Sequence, residues 1–273
     1  MAQILWWTGD GHVGELVSRV VFRADASLNI GAGHVMRCLT LANALRQKGS
    51  ECHFICREHL GNLISFIQNQ GHTVHVLPVL SPGPASGKGP TLKHAEWLGA
   101  SQEQDADTCQ VLLEQLQPRW LVVDSYALDS RWEKAVRRLC GRLLVIDDIA
   151  DRVHDCDFLL DQTLGRDPID YRPLVPDSCT LLCGAKYALL RPEFGEARPY
   201  SLERRRTAEA KHILVTMGGV DQRNATREVL AALASAEVPS NCIITVVMGP
   251  TAPWVEAVKE QAANMSVTTI VKT

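Results

Sequence analysis

Residues 20–46 read VVFRADASLNIGAGHVMRCLTLANALR, and this stretch decides how the rest of the chain is interpreted. Residues 20–22 form a short apolar run that suits a buried strand. The apolar residues between 35 and 45 recur at close to 3.6 residues, which is the period of a helix. The polar loop between these two segments contains Gly31 and Gly33. The stretch therefore predicts a strand, a glycine loop and a helix that begins at about His34.

The start of this predicted helix suits an anion. Gly31 and Gly33 allow either a positive φ or the close approach of a ligand to the backbone, and the first N–H groups of a helix have no partner within it. Such a helix start favours a phosphate or a carboxylate. His34 would lie at the mouth of this site, able to accept a proton from water when it is neutral. A single glycine loop is a weak signal that a structural turn explains equally well, and Met36 occupies the third glycine position of the dinucleotide-binding fingerprint.

Composition narrows the class of protein. The 273 residues suit two domains of about 150 residues each. The 28 Lys and Arg residues nearly balance the 31 Asp and Glu residues, which argues against a nucleic-acid partner because such proteins usually carry a basic stripe. The nine cysteines include no Cys-x-x-Cys pair, which argues against zinc. Without a secretory signal or an apolar stretch of about 20 residues, we expect a cytoplasmic protein with no membrane partner.

Polar residues follow two of the predicted buried strands. The clearest strand, at 120–124, ends in Asp124, and Tyr126 comes two residues later. A second strand ends just before Asp147 and Asp148. Polar groups at the carboxyl ends of parallel strands are well placed for function, although two adjacent carboxylates usually cap a turn. These positions are therefore secondary candidates for the site.

The chain divides into four predicted segments. Residues 1–19 follow neither the helical nor the strand period and are predicted to be an N-terminal extension, and residues 20–194 form the first α/β domain. Residues 195–210 form a charged linker. Residues 211–273 form a partial second domain, in which a strand, a glycine loop at 217–221 and a helix repeat the opening pattern. Because that domain stops after three strands, we expect the sequence to be truncated at its C-terminus.

Four motifs in register resemble the bacterial pseudaminic acid synthesis hydrolases. They are FRADAS at 22–27, IGAGHVMRCL at 30–39, YALLRPEF at 187–194 and MGGVD at 217–221. The members of that family release UDP from UDP-2,4-diacetamido-2,4,6-trideoxy-β-L-altropyranose, and the similarity extends from about Val20 to the end of the chain. The resemblance implies an α/β fold of two Rossmann-like domains of the GT-B type, as in the glycosyltransferase that makes the lipid II precursor. The first domain would be catalytic, and the second, truncated domain would bind the nucleotide.

The resemblance also implies a mechanism and a set of site residues. The small-molecule UDP-sugar would lie between the domains, and its anomeric C–O bond would be cleaved with inversion, without metal or cofactor. The base of the family corresponds to His34, and Tyr126 would orient the water or the histidine. The implied substrate-binding residues are Asp25, Gly31, Gly33, Arg37, Tyr187, Arg191, Met217, Gly218, Gly219 and Asp221. The family's uridine-binding segment has no counterpart, because the chain ends at Thr273.

Other classes of function are compatible with the same motifs. A GT-B glycosyltransferase would admit a sugar or lipid hydroxyl in place of water. A non-catalytic sugar-nucleotide binding protein would bind UDP but leave the UDP-sugar intact, and a gene fragment would fail to hold nucleotide at all. The sequence leaves the oligomeric state and the exact sugar open.

Overall fold

The computed structural model describes four stretches of the chain. They are residues 18–80, 91–206, 211–249 and 252–273. The described residues form two compact units, one ending at Pro192 and the other beginning at Glu193. Residues 1–17 of the predicted N-terminal extension and residues 207–210 of the predicted linker lie outside the described residues.

The first unit is built from alternating strands and helices. Their bounds are β1 (Arg19–Ala24), α1 (Gly33–Arg46), β2 (Glu51–Arg57), α2 (Ile64–Asn69), β3 (Thr73–Leu77), α3 (Gln102–Leu116), β4 (Trp120–Asp124), α4 (Ser130–Val136), β5 (Arg142–Ile146), β6 (Phe158–Asp161) and β7 (Thr180–Cys183). The strands pair in parallel in the order β3-β2-β1-β4-β5-β6-β7. The predicted strand at 120–124 has the same bounds as β4, and the predicted helix start at about His34 lies one residue inside α1.

Alternate residues of the central strands fill two separate cores. Successive strand side chains point to opposite faces of a sheet. Phe22 accordingly packs in the cluster that contains α1, whereas Val21 and Leu121 pack in the cluster that contains residues of α3 and α4. Because both faces are covered by helices, the strands are apolar at nearly every position instead of at every second one.

The order of the strands reverses at β1. Strands β2 and β3 lie on one side of β1, and β4 to β7 lie on the other. The last residue of β1, Ala24, is opposite Asp124 at the end of β4. In open parallel sheets, ligands bind beyond the carboxyl ends of the strands at such a reversal. The glycine loop, the start of α1 and the residues after β4 all meet at this edge.

A buried cluster of charges lies on one side of β1. Arg23 and Arg57 place Nη2 atoms 2.7 and 2.6 Å from Oδ2 of Asp105, which is fully buried. The Trp132 indole N–H donates to the other oxygen of Asp105 at 2.9 Å. Burial alone would raise the pKa of Asp105, but the two guanidinium groups outweigh it and hold that pKa at about 2. The carboxylate of Asp25 completes the cluster, since it lies 2.7 Å from Arg23 Nη1 and accepts the Arg57 backbone N–H.

The second unit is smaller and also parallel. Its elements are α5 (Pro192–Arg204), which begins at the boundary, β8 (His212–Val215), α6 (Ala225–Ser235), β9 (Ile243–Val247), α7 (Val255–Ala263) and β10 (Thr269–Lys272). The strand order is β10-β9-β8, around a core that includes Leu230 and Ile244. Much of the charged segment predicted as a linker is helical, since α5 extends to Arg204 with mainly exposed side chains. Among the described residues, no helix has the length and apolar character needed to cross a membrane.

Candidate active site

His34 lies in the first turn of α1, at the edge where the strand order reverses. Its Nδ1 atom is 3.0 Å from Oδ1 of Asp124 and 3.1 Å from the Asp124 backbone oxygen. Both partners accept hydrogen bonds, so Nδ1 carries the ring hydrogen, and the lone pair of the neutral ring is on Nε2. No described residue forms a hydrogen bond with Nε2. The ring is therefore held in the tautomer that can take a proton from a bound molecule.

Asp124 is the residue that fixes this tautomer. Its carboxylate is fully buried and accepts two hydrogen bonds from Arg37, from Nε at 2.6 Å and from Nη2 at 2.7 Å. Two parallel N–H donors on one carboxylate give a geometrically specific pair. Although burial raises the pKa of Asp124, His34 and Arg37 together hold it well below its usual range. Asp124 is therefore ionised beside the imidazole at neutral pH.

The charge on Asp124 also sets the basicity of His34. Burial of the imidazole lowers its pKa, and Arg37 lowers it further. The adjacent Asp124 carboxylate outweighs both effects, so the pKa of His34 lies above the ordinary value of 6.5. His34 is thus a stronger base than a free histidine, and a larger fraction of it is protonated at neutral pH.

Asp148 and Tyr126 extend the network to the end of β5. Arg37 donates from Nη1 to Oδ2 of Asp148 at 2.8 Å, and the Tyr126 hydroxyl donates to Oδ1. Burial and this contact with Asp148 both raise the pKa of Tyr126. The Tyr126 ring meets the His34 ring edge-on, with the centroids 4.6 Å apart. His34, Arg37 and Tyr126, all predicted from the sequence, therefore belong to one network.

Two further aromatic side chains, His94 and Trp97, lie near the Tyr126 ring. The ring centroid of Tyr126 is 5.6 Å from that of His94 and 6.0 Å from that of Trp97. His94 and Trp97 are half-buried. A partly apolar wall with a few polar groups is typical of small-molecule sites.

The helix start that follows the glycine loop lies at the same edge, whereas the loop's own Gly31 N–H donates to the Ser27 carbonyl. Gly31 has φ +80°, a conformation that favours glycine. The space beside Gly33 is open, since a Cβ at that position would meet nothing within 4 Å. The residue before α1, Ala32, provides no side-chain cap, and the first turn contains no acidic residue. The N-terminus of α1 thus has uncapped N–H groups and suits an anion. Substrate binding by Gly31 and Gly33 stays a prediction.

The second glycine loop differs from the first, because the helix after it has a cap. Gly218 has φ +80°, and the carboxylate of Asp221 accepts the backbone N–H groups of residues 225 and 226 at 2.8 and 2.9 Å. The Gly219 carbonyl accepts the N–H of Gly249, and a Cβ on Gly249 would lie 2.1 Å from the Gly219 oxygen. Asp221 therefore stabilises the start of α6, where an anion would otherwise fit.

We expect Asp221→Ala to lower the free energy of unfolding of the second unit by about 1 kcal/mol, since it removes the acceptor of the N–H groups of residues 225 and 226, while Asn224 still caps α6. Asp221→Asn is the matched control, because its one amide oxygen still accepts one of the two N–H groups and asparagine tolerates the positive φ of 44° at this position. Urea unfolding of the three proteins measures the difference. Unchanged stability of Asp221→Ala together with weaker UDP binding would instead favour a substrate contact.

Other predicted substrate-binding residues lie in different surroundings. The Asp25 carboxylate belongs to the buried charge cluster with Arg23. Tyr187 packs against the hydrophobic cluster that contains α1, whereas Arg191 and Met217 are exposed. Their contacts with a substrate stay predictions.

Two central members of the network, Asp124 and Asp148, are only secondary candidates in the sequence, and the family resemblance gives neither of them a role. Asp124 binds both His34 and Arg37, and Asp148 binds both Arg37 and Tyr126. The available signal was their position, because each follows a buried strand. Of the two adjacent carboxylates expected to cap a turn, Asp147 does so by accepting the Ala150 N–H, whereas the Asp148 carboxylate is bound to side chains from α1 and from the segment after β4.

Comparison with known proteins gives this network a context. No protein-family model matches the chain. It is 27% identical over 236 residues to a Campylobacter jejuni protein named UDP-2,4-diacetamido-2,4,6-trideoxy-beta-L-altropyranose hydrolase, an alignment that covers 86% of this chain and 71% of the hydrolase. The resemblance read from the motifs is confirmed. An uncharacterised protein of Methanocaldococcus jannaschii is 25% identical over 236 residues, which cover 85% of this chain and 43% of that protein.

The solved structures confirm the fold class. MurG of Acinetobacter baumannii matches with a TM-score of 0.55 and 16% sequence identity, over 93% of this chain and 67% of MurG. Together with the two parallel sheets, this match shows the predicted α/β fold of the GT-B type. At this identity, the match to MurG shows the fold and not the reaction.

Proposed function

We propose that this chain processes a UDP-sugar and hydrolyses its anomeric C–O bond with inversion. The observation that carries the proposal is the His34 imidazole, whose Nδ1 is held by Asp124 while Nε2 has no partner among the described residues. The homology to the C. jejuni hydrolase supports UDP-2,4-diacetamido-2,4,6-trideoxy-β-L-altropyranose as the substrate. On this basis, the chain acts in pseudaminic acid biosynthesis.

In the proposed reaction, His34 acts on water and UDP is the leaving group. A water oxygen attacks the anomeric carbon, and Nε2 of His34 accepts the proton that this water releases. The bond between the anomeric carbon and the β-phosphate oxygen breaks, and its electron pair leaves with UDP. The resulting imidazolium is stabilised by the ionised Asp124, as the geometry at Nδ1 requires. Uncapped N–H groups of α1 are available to an anionic group of the substrate.

The pH dependence of hydrolysis follows from the raised pKa of His34. A base must be neutral to accept a proton, so activity should rise with pH and level off only above a pKa higher than 6.5. The pH profile of kcat/KM reports the ionisation of the free protein and is the measurement to make. An activity that is independent of pH between about 5.5 and 7.5 would contradict a histidine base.

Release of UDP in the absence of any acceptor tests the proposed function. The full chain is mixed with the UDP-sugar, and free UDP and free sugar are measured over time, with the anomer of the first product determined by NMR. Equal amounts of UDP and inverted sugar support hydrolysis. UDP release only after an added sugar or lipid hydroxyl would show a glycosyltransferase, and bound but intact UDP-sugar would show a binding protein.

A further inference from the structure

We propose that Asp148 is a positioning residue for the hydrolysis described above: it accepts the hydrogen bond of the Tyr126 hydroxyl and so leaves the Tyr126 oxygen to accept a hydrogen bond from the attacking water. This inference rests on the proposed function and adds the group that aims the water. Neither the homology nor the fold supplies this role, which follows from the contacts of the Asp148 carboxylate.

The hydrogen bond between Tyr126 and Asp148 has a fixed direction. Oδ2 of Asp148 accepts from Arg37 Nη1 at 2.8 Å, and Oδ1 accepts from the Tyr126 hydroxyl. A phenol has one proton, so the hydroxyl that donates to Asp148 has no hydrogen left for the site. Its oxygen can only accept there.

Tyr126 and His34 can share one water molecule. The Tyr126 ring is in edge contact with the His34 ring, whose only lone pair is on Nε2 when the ring is neutral. In the proposed arrangement, a water molecule lies between Nε2 and the Tyr126 oxygen, where it meets two acceptors and no donor from these two side chains. It can donate one hydrogen to Nε2 and the other to the Tyr126 oxygen, which leaves its own lone pair free to attack carbon.

Two arginine side chains, Arg37 and Arg166, hold Asp148 in place. Arg37 bridges Asp148 and Asp124, so the supports of Tyr126 and of His34 share one guanidinium group. Arg166 fixes the other end of the residue, since its Nη2 donates to the Asp148 backbone oxygen at 2.8 Å. The two groups proposed to bind the water are therefore supported by one connected network.

Replacement of Asp148 by asparagine is the informative change. Arg37 is permanently charged and requires the amide oxygen, so the amide NH₂ turns toward Tyr126 and donates to the phenolic oxygen. The phenolic hydrogen, which no longer has Asp148 as its acceptor, then turns toward the site, so Tyr126 meets the water as a donor instead of an acceptor. We expect kcat to fall by up to about 100-fold with little change in KM, as for a reacting group that is displaced by about 1 Å.

A double-variant comparison separates this role from a structural one. Tyr126→Phe retains the ring contact with His34 but lacks the oxygen, so it should lose a similar factor in kcat. If Asp148 acts through Tyr126, the variant with both changes should lose no more than the more impaired single variant. Losses that multiply, or a wild-type kcat for Asp148→Asn, would overturn the proposal.

The matched control is Asp170→Asn. Asp170 is a half-exposed partner of the same Arg166, with an N–O distance of 3.2 Å, but it contacts neither Tyr126 nor Arg37. Its replacement should leave kcat and the pH profile unchanged. A loss in this control equal to that of Asp148→Asn would assign the effect to Arg166 and overturn the proposal.

A second readout does not depend on activity. The charged and titratable groups facing His34 are Asp124 on β4, Arg37 on α1 and Tyr126, and Asp148 neutralises Arg37 from the far side. Loss of the Asp148 charge should therefore lower the pKa of His34, measured by NMR of the imidazole, whereas Asp170→Asn should not. An unchanged pKa of His34 in Asp148→Asn would overturn the proposal. This measurement needs no turnover, so it can be made even if the chain hydrolyses no UDP-sugar and the proposed function has failed.

Discussion

His34→Asn is expected to lower the rate of UDP release by about 100- to 10,000-fold, which is the usual contribution of a positioned base. Asparagine cannot accept the proton of the attacking water at neutral pH. Its side-chain amide can still donate toward Asp124, so the buried carboxylate keeps a polar neighbour, and His34→Phe removes that possibility as well. Single-turnover release of UDP, together with the circular dichroism spectrum of each variant, measures the loss and the retention of the fold.

His75→Asn is the control for this experiment. His75 is a half-buried histidine on β3, and its ring contacts that of His53, with no contact to the network around His34. Its replacement should leave the rate unchanged. Retained turnover in His34→Asn would exclude His34 as the base, whatever the outcome for His75.

Asp105→Ala is expected to lower the free energy of unfolding by about 3–5 kcal/mol, the range found when one partner of a buried ion pair is removed. The side chains of Arg23 and Arg57 would stay inside the first unit with their shared carboxylate gone, and the Trp132 indole N–H would lose its acceptor. Urea unfolding followed by tryptophan fluorescence measures the change. A loss below about 1 kcal/mol would mean that water or Asp25 compensates for the missing charge.

The same helix provides the comparison for Asp105. Asp107 is two residues further along α3 and exposed, so Asp107→Ala should change the stability by no more than about 0.5 kcal/mol. The effect of pH has a definite sign. A carboxyl whose folded pKa is about 2 contributes its stabilisation fully above its unfolded pKa and loses it as the pH falls toward 2. The difference between Asp105→Ala and the wild type should therefore shrink below pH 4, where the unfolded carboxyl begins to protonate.

Most of the fold of the first unit could be predicted from local sequence. Strand β4 is apolar from Trp120 to Val123 because both of its faces are buried, and a run of this kind between Pro118 and Asp124 defines its own ends. The charged cluster around Arg23 could not be read in the same way. Arginine and aspartate are almost always exposed unless they are paired, and one of the two partners of Arg23, Asp105, is 82 positions away in the sequence.

The candidate site likewise combines residues that local sequence predicts with partners that are distant in the sequence. His34 was found because a helix start after glycines is a local pattern with a known consequence for anions. Its partner Asp124 is 90 positions later, and no local pattern says which carboxylate will meet which histidine. Arg37 is predicted to contact the substrate, and the structure shows that its guanidinium is shared between Asp124 and Asp148. Pairings of this kind depend on the strand order, which only the folded chain reveals.

The central position of β1 also has a consequence for biosynthesis. One edge of β1 pairs with β2, but the other must wait for β4, in which the partner of Val20 is Trp120. A ribosome that adds about 5–20 residues per second needs roughly 5 to 20 s to make the intervening segment. During that interval the emerging chain exposes an unpaired apolar strand, which is an aggregation hazard. Recovery of folded protein therefore depends on how well this edge is protected before β4 leaves the ribosome.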